Sequence, residues 1–400
     1  MRRYDLGPPR SQDLGDRAVD LHGTQLAGRR IALLVCGGIA AMKAPALARA
    51  IRRRGAEVVA FLSKQARRYV APDALAWATT HSVVEELGPQ AEHLSDEAPF
   101  DAYLIAPATY NTINKAALGI ADGPLTATLA SALGRMERGT AQVLVAPTMH
   151  GSMHNSILTE SLRRLQGMGV RIVPPRDVLG KDAIPEESVL VAELCRALSS
   201  SALRQRRVLV AGGTVAADAG GGWRLRPPAT RATLGARMAE ALTLRGAEVL
   251  LLGAEDGLEG PDWLSRRHVG DAESFRVLLH ATLATGRWEA LVMAATLPRA
   301  ELQPRSRQPV AGDVLQATAA PDLLDQVIER NPGLPLVWVG GAELRSRDLQ
   351  DAVRIIIPDS SHLDAQGVAE VATRASQPAV VRGEAAVVEA ALEALEKTVG

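Results

Sequence analysis

Apolar residues run without a break from Ile31 to Val35, a stretch too short and too β-branched to be a helix and suited to a buried strand. A glycine pair, Gly37-Gly38, follows. Apolar positions then recur at Ile39, Met42, Leu47 and Ile51, a spacing that predicts a helix with these side chains on its buried face. Gly55 ends that helix, and Glu57 to Leu62 reads as a second buried strand. Strand, glycine turn, helix and strand make one βαβ unit, whose strands are parallel. The pattern continues with a helical stretch from Lys64 to Trp77 broken at Pro72, and a short strand or helix end at His81–Leu87. Strands follow at Asp101–Ala106, Gln142–Ala146 and Val170–Val173, with helices at Ser156–Met168 and Ser188–Leu198 and a loop at Pro174–Glu187.

The opening pattern recurs. RRVLVAGGT at Arg206–Thr214 echoes RRIALLVCGG, and RGAEVLLLG at Arg245–Gly253 echoes RGAEVVAFL at Arg54–Leu62. Two such units predict an α/β chain of two Rossmann-like, doubly wound parallel-sheet domains. Ser199–Ser201 is the natural linker, giving an arm at 1–28 and domains at 29–199 and 200–400. Later strands are expected at Ala290–Ala294, Leu336–Val339 and Arg354–Ile357, and a helix at Glu384–Lys397 closes the chain.

Composition narrows the class. Basic and acidic side chains balance at 45 each, so no basic field recruits nucleic acid. The two cysteines, Cys36 and Cys195, permit neither a disulfide framework nor a CxxC metal site. No apolar run reaches membrane-spanning length and residues 1–27 lack the apolar core of a signal peptide, so a cytoplasmic protein is expected.

Candidate chemistry sits after the strands, at the carboxyl edge where open α/β sheets bind ligands. Gly37 and Gly38 allow close backbone approach, and a helix start beyond them suits an anion such as phosphate. Thr109, Asn111 and Thr112 follow the strand at Leu104. Taken alone these also read as turn and cap residues; Thr109 or Asn111 suits a helix N-cap. His150 and His154 stand four apart, but Gly151 and the lack of a neighbouring carboxylate make a metal pair weak, and no metal is assigned.

Four segments together resemble the homo-oligomeric flavin-containing cysteine decarboxylases: CGGIAAMKAP, FLSKQA, APATYNTINKAALGIADGPLT and APTMHGSMH. Their order and the second domain are similar to the bifunctional family that joins phosphopantothenoylcysteine decarboxylase to phosphopantothenate–cysteine ligase. That resemblance implies a flavodoxin-like first domain with FMN bound by Gly37, Gly38, Ser63, Thr109, Asn111 and Thr112. It implies His93 as the catalytic histidine, and a small thiol-carboxylate held by Asn111, Met149, His150 and His154. It implies hydride transfer from the thiol-bearing carbon to FMN with loss of CO2, and a trimer-based homo-oligomer.

The chain departs from the family in three places. His150 and His154 replace the Asn and Trp of the Pro-x-Met-Asn-x-x-Met-Trp substrate clamp. No cysteine occurs in the stretch from Pro174 to Ser188, where the coenzyme A decarboxylases carry one; Cys195 reads as a core residue. In the second domain Ala211–Thr214 keeps AGGT, but Pro228–Gly235 and Ala294–Arg299 replace family segments that carry a Lys and an Asp. No lysine lies between Lys181 and Lys397. Loss of CTP-dependent ligation is therefore expected, unless Arg224, Arg226, Arg231 or Arg237 serves the phosphates.

Overall fold

A computed structural model describes residues 15, 17–94, 97–218, 224–229, 231–304, 315–320, 322–345, 352–357, 363, 367–373 and 376–399. It divides into two compact units, Met1–Leu198 and Ser199–Gly400.

The first unit contains β1 (Arg30–Val35), α1 (Ala44–Arg52), β2 (Glu57–Leu62), α2 (Pro72–Thr79), β3 (Ala102–Ala108), α3 (Tyr110–Leu118) and α4 (Pro124–Glu137). It continues with β4 (Gln142–Pro147), β5 (Met149–His150), α5 (Ser156–Gly167), β6 (Arg171–Ile172), β7 (Arg176–Asp177), β8 (Lys181–Ala183) and α6 (Glu187–Leu198). The main sheet is parallel in the order β2-β1-β3-β4-β6. That is the flavodoxin-like order, with its switch point between β1 and β3. Side chains alternate across each strand, so both faces must be covered. Ala32 and Leu34 pack with Ile113, Leu129 and Leu133, while Ile31, Leu33 and Val35 are buried on the opposite face.

Five local expectations change. Ile39 and Met42 are not core residues: they are 69% and 64% exposed on a 3-10 turn, Ile39–Lys43. The α-helix begins only at Ala44, where Pro45 suits its first turn. The Lys64–Trp77 stretch splits into a 3-10 turn at Ala66–Arg68 and α2, which starts at Pro72 and runs to Thr79. Between His81 and Leu87 only Val84 pairs, through one parallel bridge to Phe61. The Pro174–Glu187 loop contains β7 and β8, which form an antiparallel sheet with β5 in the order β5-β8-β7. The arm expected at 1–28 lies outside the described residues at 1–14 and 16, but its last part is docked. Leu26 is fully buried and its amide donates to Arg54 O.

The second unit contains β9 (Arg207–Gly212), β10 (Ala217–Asp218), β11 (Arg224–Leu225), α7 (Leu234–Leu244), β12 (Glu248–Gly253), β13 (Ser265–His268), α8 (Ala272–Thr285) and β14 (Ala290–Met293). It ends with β15 (Ala300–Pro304), β16 (Leu315–Ala319), α9 (Leu323–Arg330), β17 (Leu336–Gly340), β18 (Val353–Ile356), β19 (Val368–Thr373), β20 (Ser376–Arg382) and α10 (Glu384–Val399). The main sheet runs β13-β12-β9-β14-β17-β18-β19-β20. Its parallel part, β13 to β18, has the doubly wound order in which the first strand is central, with a switch point between β9 and β14. The sheet is not parallel throughout: β19 and β20 add an antiparallel edge. Val208 and Val210 pack under α7 and α10, and Leu209 and Ala211 under α8 and α9. Among the described residues no helix is long and apolar enough to cross a membrane.

Candidate functional site

The carboxyl ends of β1 to β4 in the first unit gather nearly every residue singled out above. Gly37 and Gly38 follow β1, Ser63 follows β2, Thr109, Asn111 and Thr112 follow β3, and Met149, His150 and His154 follow or lie within β5. Gly37 is fixed by packing, because a Cβ there would lie 2.3 Å from Gln65 Cβ. Gly38 is different: a Cβ would meet only Thr109 Cγ2, at 3.5 Å, and would fill a cradle between the β1 turn and the start of α3. Among the described residues no backbone hydrogen bond bridges that gap, so the switch point stays open.

Each neighbouring hydroxyl has a definite role. Ser63 Oγ accepts from the Ala66 amide at 3.2 Å and holds the 3-10 turn that abuts Gly37. Thr109 is the N-cap residue of α3, but its side chain makes no capping bond; its Oγ1 lies 3.2 Å from Thr112 Oγ1. Asn111 is exposed in the first turn of α3, next to the positive end of the helix dipole. Asn114 is structural: its Nδ2 donates to Tyr110 O and its Oδ1 accepts from Ser161 Oγ at 2.6 Å, which locks α3 to α5. Asp122 pairs with Lys115 at 2.6 Å, and that hydrogen bond holds its carboxyl below the ordinary range.

The 149–154 segment, at the position of the family's clamp motif, is built into a small sheet. Met149 pairs with Asp182 and His150 with Lys181. His154 Nδ1 lies 3.0 Å from Asp182 Oδ2, which ties the clamp to the β7–β8 flap a second time. His150 Nδ1 accepts from the Ser152 amide at 3.2 Å, so in the neutral ring the proton sits on Nε2. On the other side, Tyr110 Oη donates to Asn155 Oδ1 at 3.3 Å. The clamp is thus held between α3 and the flap. Replacing Asp182 by Ala is expected to leave the fold intact and to raise KM for the substrate by no more than about fivefold, the ~1 kcal/mol a part-exposed pair is worth. Steady-state kinetics would show it; a kcat loss at unchanged KM would contradict it.

His93 stands apart. Its Nδ1 is buried without a hydrogen-bond partner, and no described contact joins it to the residues above. Sequence reasoning gave no role to Gln65, though it lies within FLSKQA, or to Asp182, because Gln65 acts by packing against Gly37 and Asp182 through its pairing with Met149 and His154.

Both cysteines are buried. Burial pushes the Cys36 thiol up to about 11, against lowering contacts from the Thr112 side chain and the Thr109 backbone. Burial raises Cys195 to about 12. A folded thiol that keeps its proton while the unfolded one loses it near 9.0 costs stability as pH rises. The contribution of the two thiols to stability is therefore expected to be constant below pH 9 and to fall between pH 9 and 11 by about 1.4 kcal/mol per unit per thiol. Urea unfolding at stepped pH, with Cys36→Ala and Cys195→Ala as controls, checks this.

The second unit treats its glycine turn differently. Arg226 pairs with Asp256 at 2.8 Å, Arg237 with Glu384 at 3.5 Å, Arg224 donates to Gly270 O, and Arg231 Nε donates to Thr296 Oγ1. Arg226, Arg231 and Arg299 line a cavity of about 870 Å³ near the ends of β14 and β17. Thr230, within the altered Pro228–Gly235 segment, lies outside the described residues.

Comparison with known proteins finds relatives of both units. The flavoprotein family matches residues 20–199. The coenzyme A biosynthesis bifunctional protein CoaBC of Thermococcus kodakarensis is 31% identical over 325 residues, 78% of each chain. The chain belongs to the CoaBC family. The CoaBC protein of Bacillus subtilis is 31% identical over 60% of this chain and 61% of its own. The solved FMN-dependent cysteine decarboxylase SpaF is 29% identical over 44% of this chain and 99% of its own, with a TM-score of 0.39. The first unit of this CoaBC relative is a flavoprotein domain.

Proposed function

We propose that the first unit binds FMN and decarboxylates a cysteinyl thiol-carboxylate similar to phosphopantothenoylcysteine, and that the second unit has given up CTP-dependent ligation. The open cradle at Gly38, facing Thr109 across the flavodoxin-like switch point, carries the flavin part of this reading. Gly37, Gly38, Ser63, Thr109, Asn111 and Thr112 would hold FMN. The turn backbone and the start of α3 favour its phosphate, and the hydroxyls supply further donors. When bound, FMN supplies a two-electron acceptor for the thiol-bearing carbon.

The chain's own groups do the rest. His150 Nε2–H is free to donate to a substrate carboxylate, and Met149 gives a buried apolar wall. His93 is assigned the proton transfer, which suits imidazole near neutral pH. Exposed Ile39 and Met42 beside the glycine turn, with Leu118 and Ile120 at the far end of α3, support a homo-oligomer, proposed as trimer-based.

The test is the absorption spectrum of the purified chain, followed by anaerobic addition of phosphopantothenoylcysteine. A bound flavin that bleaches with CO2 release is expected. A flavin that stays oxidised sinks the substrate assignment, and a protein colourless after FMN is supplied sinks the cofactor assignment. A complete decarboxylase–ligase is favoured by one observation: the 325-residue alignment to the Thermococcus protein exceeds the length of the first unit. Ligation of 4′-phosphopantothenate to cysteine with CTP turnover would establish that reading instead.

A further inference from the structure

The two units carry matching glycine turns at matching switch points, yet only one is open. In the second unit the backbone zips across the gap: Val215 N donates to Thr296 O, and Thr296 N donates to Gly213 O, both at 2.9 Å. The turn is also packed from the side. A Cβ on Gly257 would lie 2.1 Å from Gly213 N, and one on Gly235 2.6 Å from Gly212 Cα. Against this backbone stands a carboxylate. Asp256 Oδ1 accepts from the Thr214 amide at 2.8 Å, and Asp256 Oδ2 accepts from Arg226 Nη2 at 2.8 Å. The Asp256 side chain is 23% exposed. Beside it, Thr214 Oγ1 is buried without a hydrogen-bond partner.

An anion at a glycine turn, met by a backbone amide and an arginine, is the arrangement in which a phosphate oxygen is bound. We propose that Asp256 is an internal occupant of this turn, a specificity-determining residue that excludes phosphate-bearing ligands from the second unit. Its two oxygens use the Thr214 amide and Arg226, the donors an external phosphate needs. A phosphate entering against it would meet like charge at hydrogen-bond distance, which is unfavourable beside a part-buried carboxylate. This deepens the proposed loss of ligation and rests on that reading, but its test is separate, because it measures anion binding rather than turnover.

The experiment titrates inorganic pyrophosphate into the full chain labelled with 15N-threonine and follows the Thr214 amide. In the parent chain no saturable movement is expected. In Asp256→Asn, which keeps shape and removes charge, saturable movement is expected, with affinity gained by about tenfold or more, the equivalent of at least ~1.4 kcal/mol. Asp256→Ser is the second variant should Asn not fold. Saturable movement of the Thr214 amide in the parent chain overturns the proposal. So does a folded variant whose amide responds no more than the parent's. CTP-dependent ligation by the parent chain would refute loss of ligation, while the titration still decides whether Asp256 guards the turn.

Discussion

Gly37→Ala is expected to yield a chain that retains little flavin. The added methyl would stand 2.3 Å from Gln65 Cβ, 3.0 Å from Gln65 C and 3.2 Å from Ala66 N. None of these atoms is the free end of a flexible side chain, so the β1 turn and the Gln65 turn must separate. Overpacking of this kind costs about 1–3 kcal/mol. The Gln65 turn is the one that Ser63 Oγ holds, so the displacement moves Ser63 as well. Two of the proposed cofactor contacts are lost together. Flavin content after desalting, with far-UV circular dichroism to confirm folding, measures the effect; full retention would contradict it. Gly38→Ala separates packing from binding. Its methyl makes only an ordinary contact with Thr109 Cγ2, so the fold should hold while the cradle fills and flavin affinity falls.

Phe61→Ala is the second large effect, and it acts on stability. Phe61 is fully buried in β2, two residues before Ser63. Its ring meets Phe100 edge-on at 5.9 Å, and Phe100 meets Tyr103 at 5.5 Å, so the three rings form one chain across the sheet. The Arg30 guanidinium lies over the Phe100 ring at 4.3 Å. Truncation leaves a cavity that β-sheet backbone cannot collapse, at a cost of about 3–5 kcal/mol. Urea unfolding followed by flavin absorbance should show a lower midpoint, with Phe61→Leu intermediate. An unchanged midpoint would mean the aromatic chain contributes nothing.

Much of this architecture is legible in the sequence because buried parallel strands are continuous apolar runs. Ile31–Val35 and Val208–Ala211 announce themselves, and the repeated RGAEV segment announces the second unit. Ile39 and Met42 mislead because their spacing continues the period of Leu47 and Ile51, whereas Pro45 sets the true start of α1. The β19–β20 hairpin is hidden because Pro378 lies inside β20. Proline argues against a strand except at a sheet edge, and β20 is the edge. Strands of two or three residues, such as β5, β7 and β8, fall below what alternation can reveal. The residues after β1, β2 and β3 fall where the strand pattern places them. Their partners are not legible in that pattern: Gln65, Asp182 and Asp256 matter through contacts that only folding creates.

The flap sheet has a practical consequence. Its strands are too short to persist alone, so β5 keeps its shape only while β8 lies beside it. Leu179, at the tip between β7 and β8, is 95% exposed with φ of 54°. A protease that cuts there would sever one peptide bond and disarm the clamp on a different segment of the chain. The nicked protein would stay yellow and folded while losing its grip on substrate, so limited digestion would divide cofactor retention from substrate recognition without altering a single side chain.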